Sequence, residues 1–191
     1  MPARFRSSRG FSLAEVLVSM GLLTTVSLGV AQLFALSTRA TYTARGQTST
    51  TAMAEQKMEQ LRALTWGFDV EGQGLPVTDT NTDLSVDPPT AAGSGLNPSP
   101  ARSLEESIAG YVDYLDANGV HVGTGTTPPD GSVFIRRWSI QPLPTNPNNT
   151  IVLQVVVTPI TNEATRTGVT GPWRRLPGDA VLVSVKTRKA Q

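Results

Sequence analysis

The chain of 191 residues has one long apolar segment near its N-terminus, and this segment constrains the fold most. Residues 11–36 read FSLAEVLVSMGLLTTVSLGVAQLFAL, with Glu15 as the only ionisable side chain. About 20 apolar residues in a helix span the hydrocarbon core of a bilayer, so this segment is long enough to cross it with some tilt. The preceding residues contain Arg4, Arg6 and Arg9 and no acid, which by the positive-inside rule keeps the N-terminus in the cytoplasm. We therefore expect a single-pass membrane helix followed by an exported part.

Two simpler explanations of the apolar segment account for less of it. A secretory signal peptide has an apolar region of about 7 to 15 residues and then a small-x-small cleavage site, whereas this segment is longer and no clean site follows. A plain signal anchor fits the hydropathy but leaves Glu15 unexplained, since a carboxylate at the centre of a membrane helix costs about 2.5 to 3.5 kcal/mol on insertion scales. Glu15 lies near one end of the segment, where that cost is smaller, so a plain signal-anchored periplasmic protein stays as an alternative.

The sequence GFSLAE at residues 10–15, between a basic leader and the apolar segment, resembles the class III signal of type IV pilins and type II secretion pseudopilins. In that family the prepilin peptidase, an aspartyl peptidase embedded in the membrane, cuts after the glycine and N-methylates the new first residue. The resemblance implies cleavage between Gly10 and Phe11, N-methylation of Phe11 and retention of the helix in the membrane. It also implies that the partners are the prepilin peptidase, other pilin or pseudopilin subunits and an inner-membrane assembly platform.

The same resemblance gives Glu15 a role in assembly. After cleavage the Phe11 amine is a cation at the start of an apolar helix, and the Glu15 carboxylate of one subunit can neutralise the amine of its neighbour in a filament. An unpaired charge in apolar surroundings is costly and a paired one is tolerated, so forming the pair sets the register between subunits. We also expect Glu15 to interact favourably with the helix dipole.

Helical periodicity continues beyond the apolar segment. Within residues 52–66, AMAEQKMEQLRALTW, apolar side chains recur at spacings of three and four and predict one buried stripe. The stripe consists of Ala54, Met58, Leu61 and Leu64, and the charged residues Glu55, Lys57, Glu59 and Arg62 lie off it. Gly67 is expected to end the helix, and the Thr-rich stretch around Gly46 is a candidate position for a break. A single helix over residues 11–64 would be about 80 Å long at 1.5 Å per residue.

The remaining sequence predicts loops and strands. Residues 68–102 are rich in Gly, Pro, Thr, Asp, Asn and Ser, which indicates a long connecting loop. Asn118-Gly119 is a strong hairpin signal between two short strand patterns. Strand patterns occur at residues 111–115, 120–122, 132–143, 150–160 and 181–185.

The predicted fold is α+β, with a long N-terminal helix packed on an antiparallel sheet of four to five strands, and the resemblance to pilins implies the same architecture. The helix has a transmembrane half and an amphipathic half. The predicted organisation is a cleaved basic leader at residues 1–10, a transmembrane and assembly helix at 11–36, its amphipathic continuation at 37–66 and a loop-rich β-sheet head at 67–191.

Composition argues against an enzyme. The chain has no Cys and one His, which excludes disulfides, thiolate chemistry and a His-rich zinc site. No phosphate-binding loop, nucleophile elbow or pair of carboxylates stands out. Asp113, Asp116 and Asn118 lack the spacing of a calcium loop, so we interpret them as hairpin-turn residues, and His121 as a solvent-facing strand residue. We predict a protein that is not an enzyme, with no metal and no cofactor.

Acidic and basic residues are segregated along the head. Residues 63–130 contain ten acids and only Arg102, a balance of −9, whereas residues 131–191 contain eight bases and two acids, a balance of +6. Opposite charges of this kind can join loop and sheet within one subunit or steer one subunit against the next. The clusters RRW at 136–138 and WRR at 173–175 combine bases with aromatic residues, as DNA uptake requires. Because consecutive strand residues point to opposite faces, the first cluster is not a patch, and nucleic acid is not an expected partner.

These observations predict a structural subunit of a type IV pilus or type II secretion pseudopilus, held first in the bacterial inner membrane and then in a periplasmic or cell-surface filament. Many major pilins have a C-terminal disulfide loop and a proline within the membrane segment, and this chain has neither, which favours a minor pilin or minor pseudopilin. A DNA-binding minor pilin is the second alternative. Removal of the leader leaves thirteen bases and fifteen acids, so the net charge of +1 becomes −2.

Overall fold

A computed structural model describes residues 10–69, 74–166 and 174–188 of the chain. The chain forms two compact units, Met1–Tyr42 and Thr43–Gln191. One long helix, α1 (Leu13–Ala63), begins in the first unit and ends in the second. All described strands belong to the second unit.

Helix α1 is continuous over 51 residues, which confirms the prediction of one long helix and gives no break at Gly46. The hydroxyl groups of its Thr-rich middle find acceptors inside the helix. Thr48 donates to the carbonyl of Ala44 at 3.0 Å, and Thr51 donates to that of Gln47 at 2.8 Å. These bonds satisfy the polar side chains one turn back along the helix, so the composition of this stretch does not interrupt it.

The C-terminus of α1 lies earlier than the sequence predicted. The helix ends at Ala63, and Gly67 lies in a strand, so the prediction that Gly67 ends the helix was wrong. The last carbonyl groups of a helix have no partner within it. Here Lys186 Nζ donates to the carbonyl of Arg62 at 2.6 Å and also to that of Leu64, which caps this end with a charge of favourable sign for the helix dipole.

Nine strands and a short second helix follow α1 in the described residues. In chain order they are β1 (Trp66–Phe68), β2 (Pro76–Thr78), β3 (Thr82–Asp83), β4 (Thr90–Ala91), β5 (Val112–Leu115), β6 (His121–Thr124), β7 (Phe134–Pro142), β8 (Thr150–Pro159), α2 (Ile160–Arg166) and β9 (Ala180–Thr187). The last five strands form one antiparallel sheet in the order β6-β5-β7-β8-β9. The predicted antiparallel sheet of four to five strands is confirmed.

The predicted hairpin around Asn118-Gly119 is confirmed as β5 and β6. Gly119 has a φ of +81°, a left-handed conformation that glycine adopts at no steric cost. Asp116 Oδ1 accepts hydrogen bonds from the backbone N–H groups of Asn118 (2.8 Å) and Val120 (2.9 Å). Asp116 therefore orders the turn, as the sequence predicted for it.

Within the second unit, the C-terminal part of α1 packs on one face of the five-stranded sheet, here called the front face. The predicted stripe is confirmed, because Ala54, Met58 and Leu61 are buried and Leu64 packs against the same core. On the sheet side, alternate residues of neighbouring strands fill the core. They are Leu115, Trp138, Ile140, Ile151, Leu153, Val155, Val157 and Ala180. The opposite face, the back face, has a smaller cluster of Val112, Tyr114 and Ile135 with Ile160 packed against it.

Residues 68–102 contain short strands within the predicted connecting loop. Strands β1 and β2 pair with each other, as do β3 and β4, so two small antiparallel sheets lie within this region. Leu84 and Leu96 are buried in the main core. The described residues of this region are therefore mostly loop, as predicted, with short paired strands and two core residues that the sequence did not predict.

Candidate processing and assembly site

Two side chains organise the start of α1. Ser12 is the residue before the helix, and its Oγ accepts a hydrogen bond from the backbone N–H of Ala14 at 3.2 Å. Glu15 Oε2 accepts in return from the backbone N–H of Ser12 at 2.9 Å. This reciprocal arrangement is a capping box, which satisfies two N–H groups that have no partner within the helix. The sequence signal for it, Ser-x-x-Glu, was present and was not used in the prediction.

Gly10 and Phe11 precede this capping box and are exposed, with 88% of Phe11 accessible. The peptide bond between them therefore lies outside the helix. A Cβ added at Gly10 would meet no atom of the described residues within 4 Å, so packing among them gives no reason for glycine here. Arg4, Arg6 and Arg9, the predicted orientation signal, lie outside the described residues.

The apolar segment 11–36 has no partner in the described chain. Its large apolar side chains are all exposed, and the most hydropathic 18-residue window of α1 has a mean hydropathy of 1.8 with none of it buried. By length and composition this is the one described helix that could cross a membrane. Thr24 and Thr25 donate to the carbonyls of Met20 (2.7 Å) and Gly21 (2.8 Å), so their hydroxyl groups are satisfied within the helix.

A second polar site is buried in the head, where Lys57, Asp113 and Arg136 form what we call the buried ion triad. Arg136 makes a bidentate contact with Asp113, from Nε to Oδ1 at 2.8 Å and from the terminal nitrogen to Oδ2 at 2.7 Å. Lys57 Nζ lies 2.8 Å from the same Oδ2. At most 2% of each side chain is accessible. Two cations thus share one carboxylate out of reach of bulk water.

The triad joins α1 to the sheet within the second unit. Arg136 also donates to the carbonyl of Met53 at 3.1 Å and to the side chain of Gln56 at 3.2 Å, both on α1. Lys57 donates to the carbonyl of Leu84 at 2.5 Å and lies 4.6 Å from the ring centre of Trp138. The triad is therefore a structural clamp that joins α1, strands β5 and β7, and the segment that contains Leu84.

Burial lowers the pKa of Lys57 from its ordinary value of 10.5 to about 8, because desolvation disfavours the ammonium form. The nearby Asp113 carboxylate acts in the opposite direction and Arg136 in the same direction as burial. The charged form remains the major one at neutral pH.

Three sequence-based assignments in the head were wrong. Lys57 was placed off the buried stripe but lies within it. Asp113 was interpreted as a turn residue but is a buried residue of β5 paired with two cations. His121 was expected to face solvent, and instead it is half-buried with Nε2 2.9 Å from the carbonyl of Ser85.

Three of the four arginines considered for nucleic acid binding, Arg136, Arg137 and Arg175, bind partners within the head. Arg136 and Arg137 lie on opposite faces of β7, as predicted, and Arg137 pairs with Glu163 at 2.7 Å. Arg175 Nε donates to the carbonyl of Asp179 at 3.1 Å. Arg174 lies in the described part of the chain, and its neighbour Trp173 lies outside it. Within the described residues, therefore, the RRW cluster forms no exposed basic patch.

A long N-terminal helix that opens on an apolar segment and packs its distal part on an antiparallel sheet is an α+β, pilin-like architecture. Residues 5–31 match the family model of the prokaryotic N-terminal methylation motif, the class III signal of type IV pilins. No curated protein and no solved structure matches the chain significantly. The motif and the helix together support a membrane-anchored prepilin of the type IV pilin or pseudopilin kind.

Proposed function

We propose that this chain is a minor structural subunit of a type IV pilus or a type II secretion pseudopilus. The prepilin peptidase removes the leader at residues 1–10, residues 11–36 form the transmembrane and assembly helix, residues 37–66 continue it, and residues 67–191 form the head. The observation that carries the proposal is the methylation motif at residues 5–31, which overlaps an apolar helical segment whose large apolar side chains are exposed and have no partner among the described residues. A structural subunit needs no catalytic group, and it is proposed here as a protein without enzymatic activity.

The local structure around the scissile bond supports processing at that point. The Gly10–Phe11 peptide lies outside α1, so the peptidase can bind it without unwinding the helix. The capping box keeps the helix start at Leu13 both before and after cleavage, because neither of its hydrogen bonds involves the leader. Cleavage creates an amine on Phe11, four residues before the Glu15 carboxylate.

Assembly then pairs these two charges between subunits. In the free subunit Glu15 accepts from Ser12 N–H, a neutral donor, whereas a neighbouring Phe11 amine offers a charged donor. Both hydrogen bonds are made to an ionised carboxylate, but only the amine also cancels its charge, and an unpaired charge in apolar surroundings is costly. Pairing of the two charges therefore favours the filament over free subunits in the membrane. Before a subunit leaves the membrane for the filament, its N-terminus lies in the cytoplasm.

The experiment that tests this proposal is mass spectrometry of the mature protein from cells that contain the prepilin peptidase. The expected N-terminal residue is N-methylated Phe11. An intact Met1 in such cells would contradict the proposal and leave the plain signal-anchored protein. A strain that lacks the peptidase is the control, because there the leader should persist.

The DNA-binding alternative has no specific structural support among the described residues. If the protein is a DNA-binding minor pilin, the purified protein should bind DNA. The affinity should fall as the salt concentration rises and should depend on Arg174 or Arg175. Deletion of the gene, scored together for surface motility, exoprotein secretion and transformation, distinguishes the pilus, secretion and DNA-uptake machines from one another.

A further inference from the structure

Strand β9 is an edge strand of the five-stranded sheet. Its outer edge makes no backbone hydrogen bond to another described element, although β1 lies beside its C-terminal end, at residues 185–187. The backbone N–H of Arg188 donates to the carbonyl of Asn149 at 2.7 Å, and the next pair inward is Thr187 with Thr150. Hydrogen-bonded pairs alternate along an antiparallel ladder, so the even-numbered residues of β9 bond to β8 and the odd-numbered residues direct their N–H and C=O groups outward. These residues are Val181, Val183, Val185 and Thr187, and no backbone hydrogen bond joins them to another described element.

The side chains of this edge are apolar and accessible. Val183 is 60% exposed and Val185 is 56% exposed, both on the back face of the sheet. Exposed edge strands normally carry a proline, a bulge or an outward lysine that prevents pairing with another chain. Within β9 the only lysine is Lys186, and its ammonium group is directed to the C-terminus of α1 instead. No proline, bulge or outward lysine within β9 therefore prevents its pairing with another chain.

The opposite edge of the sheet is different. Strand β6 has only four residues, and the pairing of β5 with β6 shifts register between Tyr114 and Leu115. A Cβ added at Gly123 would lie 3.0 Å from Pro129 Cγ, so the turn after β6 packs closely against this strand. A short, irregular and partly covered strand is a poor template for a second chain.

An acidic cleft runs beside β9 on the front side. It is lined by Glu55, Met58, Glu59 and Arg62 of α1 and by residues 182–184 of β9. Glu59 pairs with Arg62 at 3.0 Å, whereas Glu55 has no ion pair among the described residues. The cleft favours a partner segment that places a basic side chain next to Glu55.

We propose that β9 accepts an extended segment from a neighbouring, non-identical subunit of the filament by β-strand addition. The segment would hydrogen-bond to the odd-numbered residues, cover Val183 and Val185 with alternate apolar side chains and place a basic residue near Glu55. A second copy fits poorly, because two β9 edges pair about a two-fold axis that closes the assembly, while filament growth needs heterologous contacts. This inference rests on the proposed function as a filament subunit.

The absence of cysteine from the chain makes a cross-linking test direct. Full-length Val183→Cys carries a single thiol at the edge, and Val120→Cys is the matched control because Val120 is also 60% exposed but precedes β6 at the other edge. Both variants are labelled with a maleimide–diazirine cross-linker in filaments and irradiated, and the linked peptides are identified by mass spectrometry. The expected result is a cross-link from position 183 to a different N-methylated subunit, several-fold stronger than any from position 120. Position-183 links only to a second copy of this chain would overturn the proposal.

A pair of charge variants tests the same edge by assembly. Val183→Lys places an ammonium group on the open edge, and Val120→Lys places one at an equally exposed control position. Both variants should retain the thermal unfolding of the wild type, and Val183→Lys alone should lose incorporation into filaments several-fold. Equal incorporation of the two variants would overturn the inference about β9. If the wild type itself is absent from filaments or lacks N-methylated Phe11, the proposed function fails instead, and the inference fails with it.

Discussion

The ammonium group of Lys57 lies 2.8 Å from the carboxylate of Asp113, and 1% of each side chain is accessible. Arg136 contacts the same carboxylate through two nitrogens, so the buried ion triad contains two positive charges and one negative charge. Removing one partner of a buried ion pair is strongly destabilising when it leaves an uncompensated charge. Loss of the anion should therefore lower the free energy of unfolding more than loss of one cation.

Replacement of the anion should be the most damaging change in the head. In Asp113→Asn, Lys57 and Arg136 remain as two buried cations with no carboxylate between them. We expect a loss of about 3 to 5 kcal/mol in the free energy of unfolding, typical of a broken buried pair. The measurement is denaturant unfolding of the full-length protein in detergent, followed by tryptophan fluorescence, to which Trp138 beside the triad contributes.

Replacement of Lys57 should cost much less than replacement of Asp113. In Lys57→Met the carboxylate of Asp113 loses one of its two cations but keeps the bidentate, neutral pair with Arg136, whereas the carbonyl of Leu84 is left without its charged donor. An unsatisfied buried group costs about 1 to 3 kcal/mol, and the apolar methionine side chain offsets part of this. The double variant Asp113→Asn with Lys57→Met should be more stable than Asp113→Asn alone. Equal losses in both single variants would contradict the clamp described here.

The same lysine gives the head a pH dependence. Burial lowers the pKa of Lys57 to about 8 from an ordinary value of 10.5, so between these two pH values the unfolded chain binds a proton that the folded protein does not. Stability rises with pH wherever the unfolded state binds more protons. The contribution of Lys57 to the free energy of unfolding should therefore increase as pH rises from about 8 to about 10.5. Lys57→Met should lack this increase, and the difference between the two pH profiles measures it.

The sequence predicted the elements well and the ionic clamp poorly, for a physical reason. Long apolar runs and strand alternation are local signals, and they located α1 and the strands from β5 to β9. Lys57 lies three residues after Ala54 and four before Leu61, so helical spacing alone assigns it to the buried stripe, but its charge suggested the surface. A buried charge is explained only by its distant partners, Asp113 and Arg136, and no local pattern contains that pairing.

The short strands before β5 were not predicted from the sequence for a related reason. Strands β3 and β4 have two residues each, too few for any alternation to appear in the sequence. These strands form because their segments contact distant parts of the chain, as the burial of Leu84 and Leu96 in the core shows. At the N-terminus, by contrast, the whole signal is local. The capping box at Ser12 and Glu15 could have been read directly from the spacing of these two residues.

Arg188 should hold the small sheet of β1 and β2 to the end of β9. Its guanidinium donates to the carbonyls of Gly67 (2.9 Å) and Val77 (2.8 Å), and its Cζ lies 3.7 Å from the ring centre of Trp66. Loss of these bonds and of the cation–π contact in Arg188→Ala should lower the free energy of unfolding by about 1 to 3 kcal/mol. It should also speed chymotryptic cleavage after Phe68.

The control for that substitution is Arg102→Ala. Arg102 makes two ion pairs, with Glu105 and Glu106, but 64% of its side chain is exposed. Exposed ion pairs contribute little to stability because water and salt screen them. Arg102→Ala should therefore leave cleavage after Phe68 unchanged. Equal protease sensitivity of both variants would show that Arg188 does not anchor this sheet.

The capping box allows the two roles of Glu15 to be separated. In Glu15→Gln the side chain can still accept from Ser12 N–H, since Gln also serves in capping boxes, but it can no longer neutralise an amine. In Ser12→Ala the carboxylate remains, and only the bond to Ala14 N–H is lost, at a cost of about 1 kcal/mol. If charge pairing drives assembly, Glu15→Gln should insert and be cleaved but incorporate poorly into filaments, whereas Ser12→Ala should incorporate nearly as well as the wild type. The measurement is the fraction of N-methylated protein in sheared filaments, and the reverse order of the two variants would assign Glu15 to helix capping rather than to assembly.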